Sequence, residues 1–147
     1  MSHAYSRNYV HIVFGTKNHR PWIKEPLQQP LWTYIADIGR EYGVDVLEIG
    51  GVADHVHLLL CLPPKLSIAL MVRALKANSS KWMNEQGHLF GWQQGYGSFS
   101  VSSSNLNAVS AYIRNQAEHH RHRDFREEFL ALLRRHGVPF TADHVFA

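Results

Sequence analysis

Short apolar runs interleave with longer stretches whose apolar residues recur at helical spacing, and their order outlines a fold. Tyr9-Val10-His11-Ile12-Val13-Phe14-Gly15-Thr16 forms two apolar-leaning rows rich in β-branched and aromatic residues, which predicts a strand ended by Arg20-Pro21-Trp22. From about Pro26, Leu27, Leu31, Tyr34, Ile35, Ile38 and Tyr42 share a helical face, with Gly43 as the stop. Pro26 and Pro30 suit only the first turn, so the spacing leaves the helix start open. Val44 to Val52 predicts a second strand, joined through Gly50-Gly51-Val52-Ala53 to an antiparallel partner.

That partner is Asp54-His55-Val56-His57-Leu58-Leu59-Leu60-Cys61-Leu62, an apolar run bounded by Pro63-Pro64 and suited to burial on both faces. Period two puts His55 and His57 on one face, Val56, Leu58 and Leu60 on the other, and turns Asp54 away from the histidines. Ser67 then caps a helix with the stripe Ile68, Met71, Val72, Leu75, Ser79 and Trp82, leaving Arg73, Lys76 and Lys81 off it. A loop dense in glycine, glutamine and aromatics, Phe90 to Gly97, precedes a fourth strand at Ser98 to Ser102. The next helix is expected from about Leu106 to His122, burying Val109, Ile113 and Ala117, with Tyr112 and Gln116 one turn apart beside that stripe. Asp124 and Glu127 make a capping-box-like start for a last helix that buries Phe125, Phe129, Leu132 and Leu133 and stops at Gly137. The tail from Phe140 to Ala147 carries no pattern.

Strand, helix, strand, strand, helix, strand matches the split βαβ order of ferredoxin-like folds. The expected class is α+β: an antiparallel sheet with helices on one face, followed by a tyrosine-bearing helix. A length of 147 residues suits one domain spanning the chain. The one cysteine, Cys61, gives neither a disulfide framework nor a thiolate metal cage. The stretch Met1 to Asn8 lacks a signal pattern, and no apolar run is long enough to span a bilayer. A soluble cytoplasmic protein with no membrane partner is therefore expected. A formal charge of +3 and 11 histidines permit a polyanionic partner without requiring one.

Neutral imidazole is a common metal ligand, and His55 with His57 can clamp one cation, leaving a third ligand to be found. Each further feature has two readings. Arg73, Lys76 and Lys81 form a solvated face or a phosphate-tracking one; Trp92 and Tyr96 stack on unpaired bases or pin their loop to the core. His119-His120-Arg121-His122-Arg123 suits a helix C-terminus, while His119 or His120, three and four residues after Gln116, can also reach the same site.

In combination, His55-Val56-His57 with Leu58-Leu59-Leu60, the stretch Trp92-Gln93-Gln94-Gly95-Tyr96 to Phe99-Ser100-Val101, and Tyr112-Ile113-x-x-Gln116-x-x-His119-His120 resemble the single-tyrosine HUH transposases. These are the IS200/IS605 group, with the REP-associated tyrosine transposases as relatives. The resemblance runs from Tyr9 to about Pro139 and departs at the tail, which lacks the more usual acidic and aromatic ending. It implies a DNA transposase that cleaves and rejoins hairpin-bearing single-stranded DNA through a 5′-phosphotyrosine on Tyr112. His55, His57 and Gln116 would form a neutral ligand set for magnesium or manganese, with His119 and His120 as accessories. Because the covalent bond conserves the energy of the broken one, no nucleotide cofactor is implied. The implied partners are hairpin DNA, held by Arg73, Lys76, Lys81, Trp92 and Tyr96, and a second subunit in a homodimer that shares active sites. Two other readings stand beside it: a non-catalytic binder of DNA or RNA hairpins, and a metal hydrolase using bound water. Against the hydrolase, no acidic residue other than Asp54 lies at an obvious ligand spacing.

Overall fold

In the computed structural model, which describes residues 4–146, the elements follow the expected order. The head of the amino-terminal stretch, Met1 to His3, and the last tail residue, Ala147, lie outside the described residues. Strands β1 (Asn8–Gly15), β2 (Asp45–Val52), β3 (His55–Leu62) and β4 (Gly97–Val101) form one antiparallel sheet in the order β2-β3-β1-β4. Helices α1 (Glu25–Glu41) and α2 (Ile68–Glu85) make the crossovers, and α3 (Leu106–Arg114), α4 (Gln116–His119) and α5 (Phe125–Arg135) follow β4. Pro26 falls in the first helical positions, where no backbone donor is lost, and Pro30 follows one turn later on the exposed side. Ser67 Oγ accepts from Leu70 N at 3.1 Å and caps α2 as its sequence predicts.

The two faces of the sheet are covered by different helices. Ile12, Phe14, Val56, Leu58 and Leu60 pack against Leu31, Ile35 and Ile38 of α1 and Met71, Val72 and Leu75 of α2. On the reverse face, Val13 and Phe99 meet Phe125, Phe129, Leu132 and Leu133 of α5. The α+β antiparallel sheet with crossover helices on one face is thus present, and the carboxy-terminal helices close the other side.

Three local expectations need correction. The helix expected over Leu106 to His122 breaks at Asn115, Ala117 is exposed, and of the expected stripe only Ile113 is fully buried. At the break, the side-chain Nε2 of Gln116 donates to the Tyr112 carbonyl at 3.4 Å, a group that a continuing helix would satisfy through the backbone. Asp54 precedes β3 in a turn, so strand alternation does not govern it; its carboxylate sits with the histidines. The tail is ordered by turns, with Thr141 O accepting from His144 N and Val145 N at 3.1 Å, and Val145 and Phe146 pack on the second core. Among the described residues, no helix is long and apolar enough to cross a membrane.

Candidate active site

Two glycines let the last helices settle onto the sheet beside the histidines. Gly50 on β2 pairs with His57, and Gly15 on β1 pairs with His55. A side chain at Gly50 would begin 2.6 Å from the Ile113 carbonyl oxygen, and one at Gly15 would begin 2.6 Å from the Phe125 ring. Their absence lets α3 and α5 approach the backbone directly. The Phe125 ring then stacks on His55, with centroids 4.2 Å apart and planes at 10°.

One turn along α5 from Phe125, Glu128 points inward and is fully buried. Its Oε1 lies 3.2 Å from His55 Nε2, 3.1 Å from His57 Nε2 and 2.9 Å from His120 Nε2. Its Oε2 accepts hydrogen bonds from the Tyr112 hydroxyl and, at 3.1 Å, from Gln116 Nε2. The Gln116 Oε1 lies 2.9 Å from His55 Nε2 and 3.1 Å from His120 Nε2. A buried carboxylate is costly unless its lone pairs are filled, and here every near neighbour is a potential donor. The structure therefore brings Tyr112, Gln116, His55, His57 and His120 together around a residue that sequence reasoning missed. The signal was present: Glu128 occupies the 3.6-residue stripe shared by Phe125, Phe129 and Leu132, where an apolar side chain belongs.

Outside this ring, Asp54 Oδ1 lies 2.7 Å from His55 Nδ1, and His11 Nε2 lies 2.8 Å from His57 Nδ1. The two histidines consequently differ in charge. Burial lowers the His55 pKa, but hydrogen bonds to Asp54 and Glu128 outweigh it and raise the value to about 9. Burial holds His57 down at about 4, and burial together with His57 holds His11 at about 3. For Glu128, burial opposes ionisation, yet the three imidazoles keep the carboxyl far below its usual range. Burial and the Glu128 charge push the Tyr112 phenol well above its ordinary value, so it is protonated at neutral pH.

The donor set fits a divalent cation. Ligating atoms of His55, His57 and Glu128 lie within 4.8 Å of one another. Neighbouring ligands about 2.1 Å from an octahedral ion sit about 3 Å apart, close to the carboxylate separations seen here. Gln116 Oε1 beside His55 is a further oxygen donor, and a set that included the Glu128 carboxylate beside the expected amide would be anionic rather than neutral. Two imidazoles with carboxylate and amide oxygens suit manganese better than magnesium.

The remaining sequence candidates lie elsewhere or take other roles. Arg73 and Lys81 are exposed on α2. Lys76 Nζ donates to the carbonyls of Gln93, Gln94 and Gly95 at 2.8, 3.1 and 2.7 Å, and burial lowers its pKa to about 8. Trp92 packs edge-on against Phe14 and Phe90, and its Nε1 donates to Ser79 Oγ at 2.9 Å. Lys76 and Trp92 thus brace their loop on the sheet face opposite the histidines, while Tyr96 remains partly exposed beside them. His119 lays its ring 4.7 Å from that of Tyr112, and its buried Nε2 has no hydrogen-bond partner among the described residues.

Comparison with known proteins gives the chain a family and its fold solved relatives. Residues 4–116 match the family described as IS200-like transposases. The transposase for insertion sequence element IS200 of Salmonella typhimurium is 30% identical over 119 residues, covering 74% of this chain and 76% of its own. A crystal structure of a Deinococcus radiodurans protein assigned as a transposase superposes with a TM-score of 0.63 at 25% identity, covering 79% of this chain and 95% of that one. A REP-associated tyrosine transposase bound to a REP hairpin shares the fold, with a TM-score of 0.62 at 15% identity over 82% of this chain and 73% of its own. The family match over residues 4–116, with a relative 30% identical across three quarters of both chains, makes this protein a member of the IS200-like transposase family.

Proposed function

We propose that the chain acts as one catalytic domain that cleaves and rejoins single-stranded DNA through a covalent bond to Tyr112. The observation that carries this reading is the shared carboxylate: Glu128 touches the Tyr112 hydroxyl with one oxygen and both histidine Nε2 atoms with the other. A nucleophile and a set of metal donors are thereby held a single carboxyl group apart. His55, His57 and Glu128, with Gln116 beside them, would hold a magnesium or manganese ion. Such an ion supplies positive charge that polarises a phosphodiester and offsets the charge that develops during transfer.

The protein groups divide the remaining work. Glu128 Oε2 and the adjacent His119 ring orient the phenol, which is stored as a neutral hydroxyl hydrogen-bonded to a carboxylate. In the transfer step the Tyr112 oxygen gives up its proton and forms a bond to phosphorus, the bond from phosphorus to the 3′ oxygen breaks, and that oxygen takes up one proton in exchange and leaves as a free 3′ hydroxyl. Attack by another 3′ hydroxyl reverses the step and joins new partners. The energy stays in the phosphotyrosine, so no nucleotide cofactor is needed. His120, within 2.9 Å of Glu128, helps keep the carboxylate ionised.

The substrate in this reading is hairpin-bearing DNA, in keeping with the REP hairpin bound by the structural relative. Arg73, Lys81 and Tyr96 are its proposed surface contacts, and a cytoplasmic setting goes with such a substrate. Tyr112 meets the same Glu128 that touches His55 and His57 of its own chain, so the tyrosine is proposed to serve its own subunit's histidines whether or not the protein pairs as a homodimer.

Wild-type protein and Tyr112→Phe incubated with end-labelled hairpin DNA from the flanks of the gene, with manganese or chelator, test this on a denaturing gel. A protein-linked label that needs both metal and Tyr112 is expected. Cleavage that survives in Tyr112→Phe would favour hydrolysis by water, and binding without cleavage would favour a hairpin-binding protein.

A further inference from the structure

We propose that His11 is a positioning residue that sets the tautomer of His57 and so its readiness to take a metal ion. The proposal rests on the metal-binding reading of the site above. The two rings belong to neighbouring strands: His57 pairs with Val13 and His11 with Leu59, so His11 reaches His57 along the diagonal of one sheet face. His11 Nε2 and His57 Nδ1 are 2.8 Å apart, the rings stack with centroids 5.0 Å apart, and both residues are buried. A hydrogen bond this short between imidazoles requires one nitrogen to carry the proton and the other to offer its lone pair.

The far side of His57 decides which. Without metal, His57 Nε2 lies 3.1 Å from the ionised Glu128 and donates to it, so Nδ1 is bare and accepts from a proton on His11 Nε2. A cation held by His57 Nε2 needs that lone pair. The His57 proton must then sit on Nδ1 and be donated to His11 Nε2, which moves the His11 proton to its own Nδ1. Each ring keeps one proton throughout, and no charge is gained or lost. His55 does not need such a partner, because the Asp54 carboxylate, 2.7 Å away, accepts a hydrogen bond from its Nδ1 and holds the proton on that nitrogen. His11 thus does for His57 with a neutral, reversible acceptor what Asp54 does for His55 with a fixed charge. An outer partner of this kind is worth about tenfold to a hundredfold in metal affinity.

The test measures manganese binding to DNA-free protein by calorimetry or electron paramagnetic resonance, with thermal melts alongside. His11→Leu keeps bulk but removes the acceptor; His11→Gln places an amide oxygen near the position of Nε2. Affinity is expected to fall about tenfold to a hundredfold in His11→Leu and to stay within about threefold of wild type in His11→Gln. A folded His11→Leu that binds manganese as tightly as wild type overturns the proposal. Nitrogen-15 NMR of wild-type histidines, without and with magnesium, decides the matter even if that variant does not fold. The His11 proton should pass from Nε2 to Nδ1 on loading, and its remaining on Nε2 in the loaded protein refutes the idea. If wild type itself binds no divalent ion, the metal reading fails, and with it the premise of this one.

Discussion

Glu128 is the residue on which the site turns, and the predictions about it are direct. Replacing it by glutamine keeps the volume but removes the charge and one of the acceptors that three imidazoles and a phenol share. Glu128→Gln should lower manganese affinity by at least about tenfold and abolish adduct formation, while circular dichroism reports a folded protein. Retention of both activities would remove Glu128 from the mechanism. The His55 pKa of about 9 gives a second prediction. A ligating Nε2 must shed its proton, so below this value metal binding competes with protonation. Manganese affinity should therefore rise about tenfold per pH unit from about pH 7 and level off near pH 9, measured by calorimetry. A flat profile over that range would show that His55 is not protonated in the metal-free protein.

Among the elements, α3 and its break at Asn115 place the tyrosine and glutamine, and Gly50 is what lets α3 reach the sheet. In Gly50→Ala the new methyl would press on the Ile113 carbonyl, costing about 1–3 kcal/mol and displacing Tyr112. Gly91→Ala, where nothing lies within 4 Å, is the matched control. Melting temperature and adduct yield should fall in the first variant and hold in the second; equal behaviour would contradict the role given to Gly50. Much of this architecture was legible beforehand, because period-two runs in β1 and β3 and the capped stripe of α2 report burial directly. The β3 alternation placed both histidines on one face, and the interval between Tyr112 and Gln116 placed both near one site. What escaped were features set by tertiary contact. The break after Arg114 satisfies a backbone carbonyl with a side chain, Asp54 lies in a turn where alternation no longer applies, and Lys76 spends its ammonium on three loop carbonyls. Glu128 was hidden because an acidic residue on an apolar stripe reads as an interruption until the histidines opposite it are known.

Across the whole molecule, the sheet separates two tasks. One face carries the main core with α1 and α2; the other holds the polar ring, sealed by α3, α4 and α5. Tyr112 reaches the Glu128 carboxylate of its own chain, which predicts the behaviour of mixed inactive variants. Tyr112→Phe combined with His57→Ala should give no covalent adduct, because neither chain has a complete site. Recovery of adduct in the mixture would mean that subunits exchange their tyrosine helices. The proposed chemistry depends above all on where DNA becomes attached. The most direct measurement is fragmentation mass spectrometry of the protein–DNA adduct after tryptic digestion, on the peptide that runs from Trp82 to Arg114 and contains both Tyr96 and Tyr112. A 5′-phosphonucleotide on Tyr112 with Tyr96 unmodified is expected. Attachment at any other residue, or cleaved DNA with no attached peptide, would contradict it.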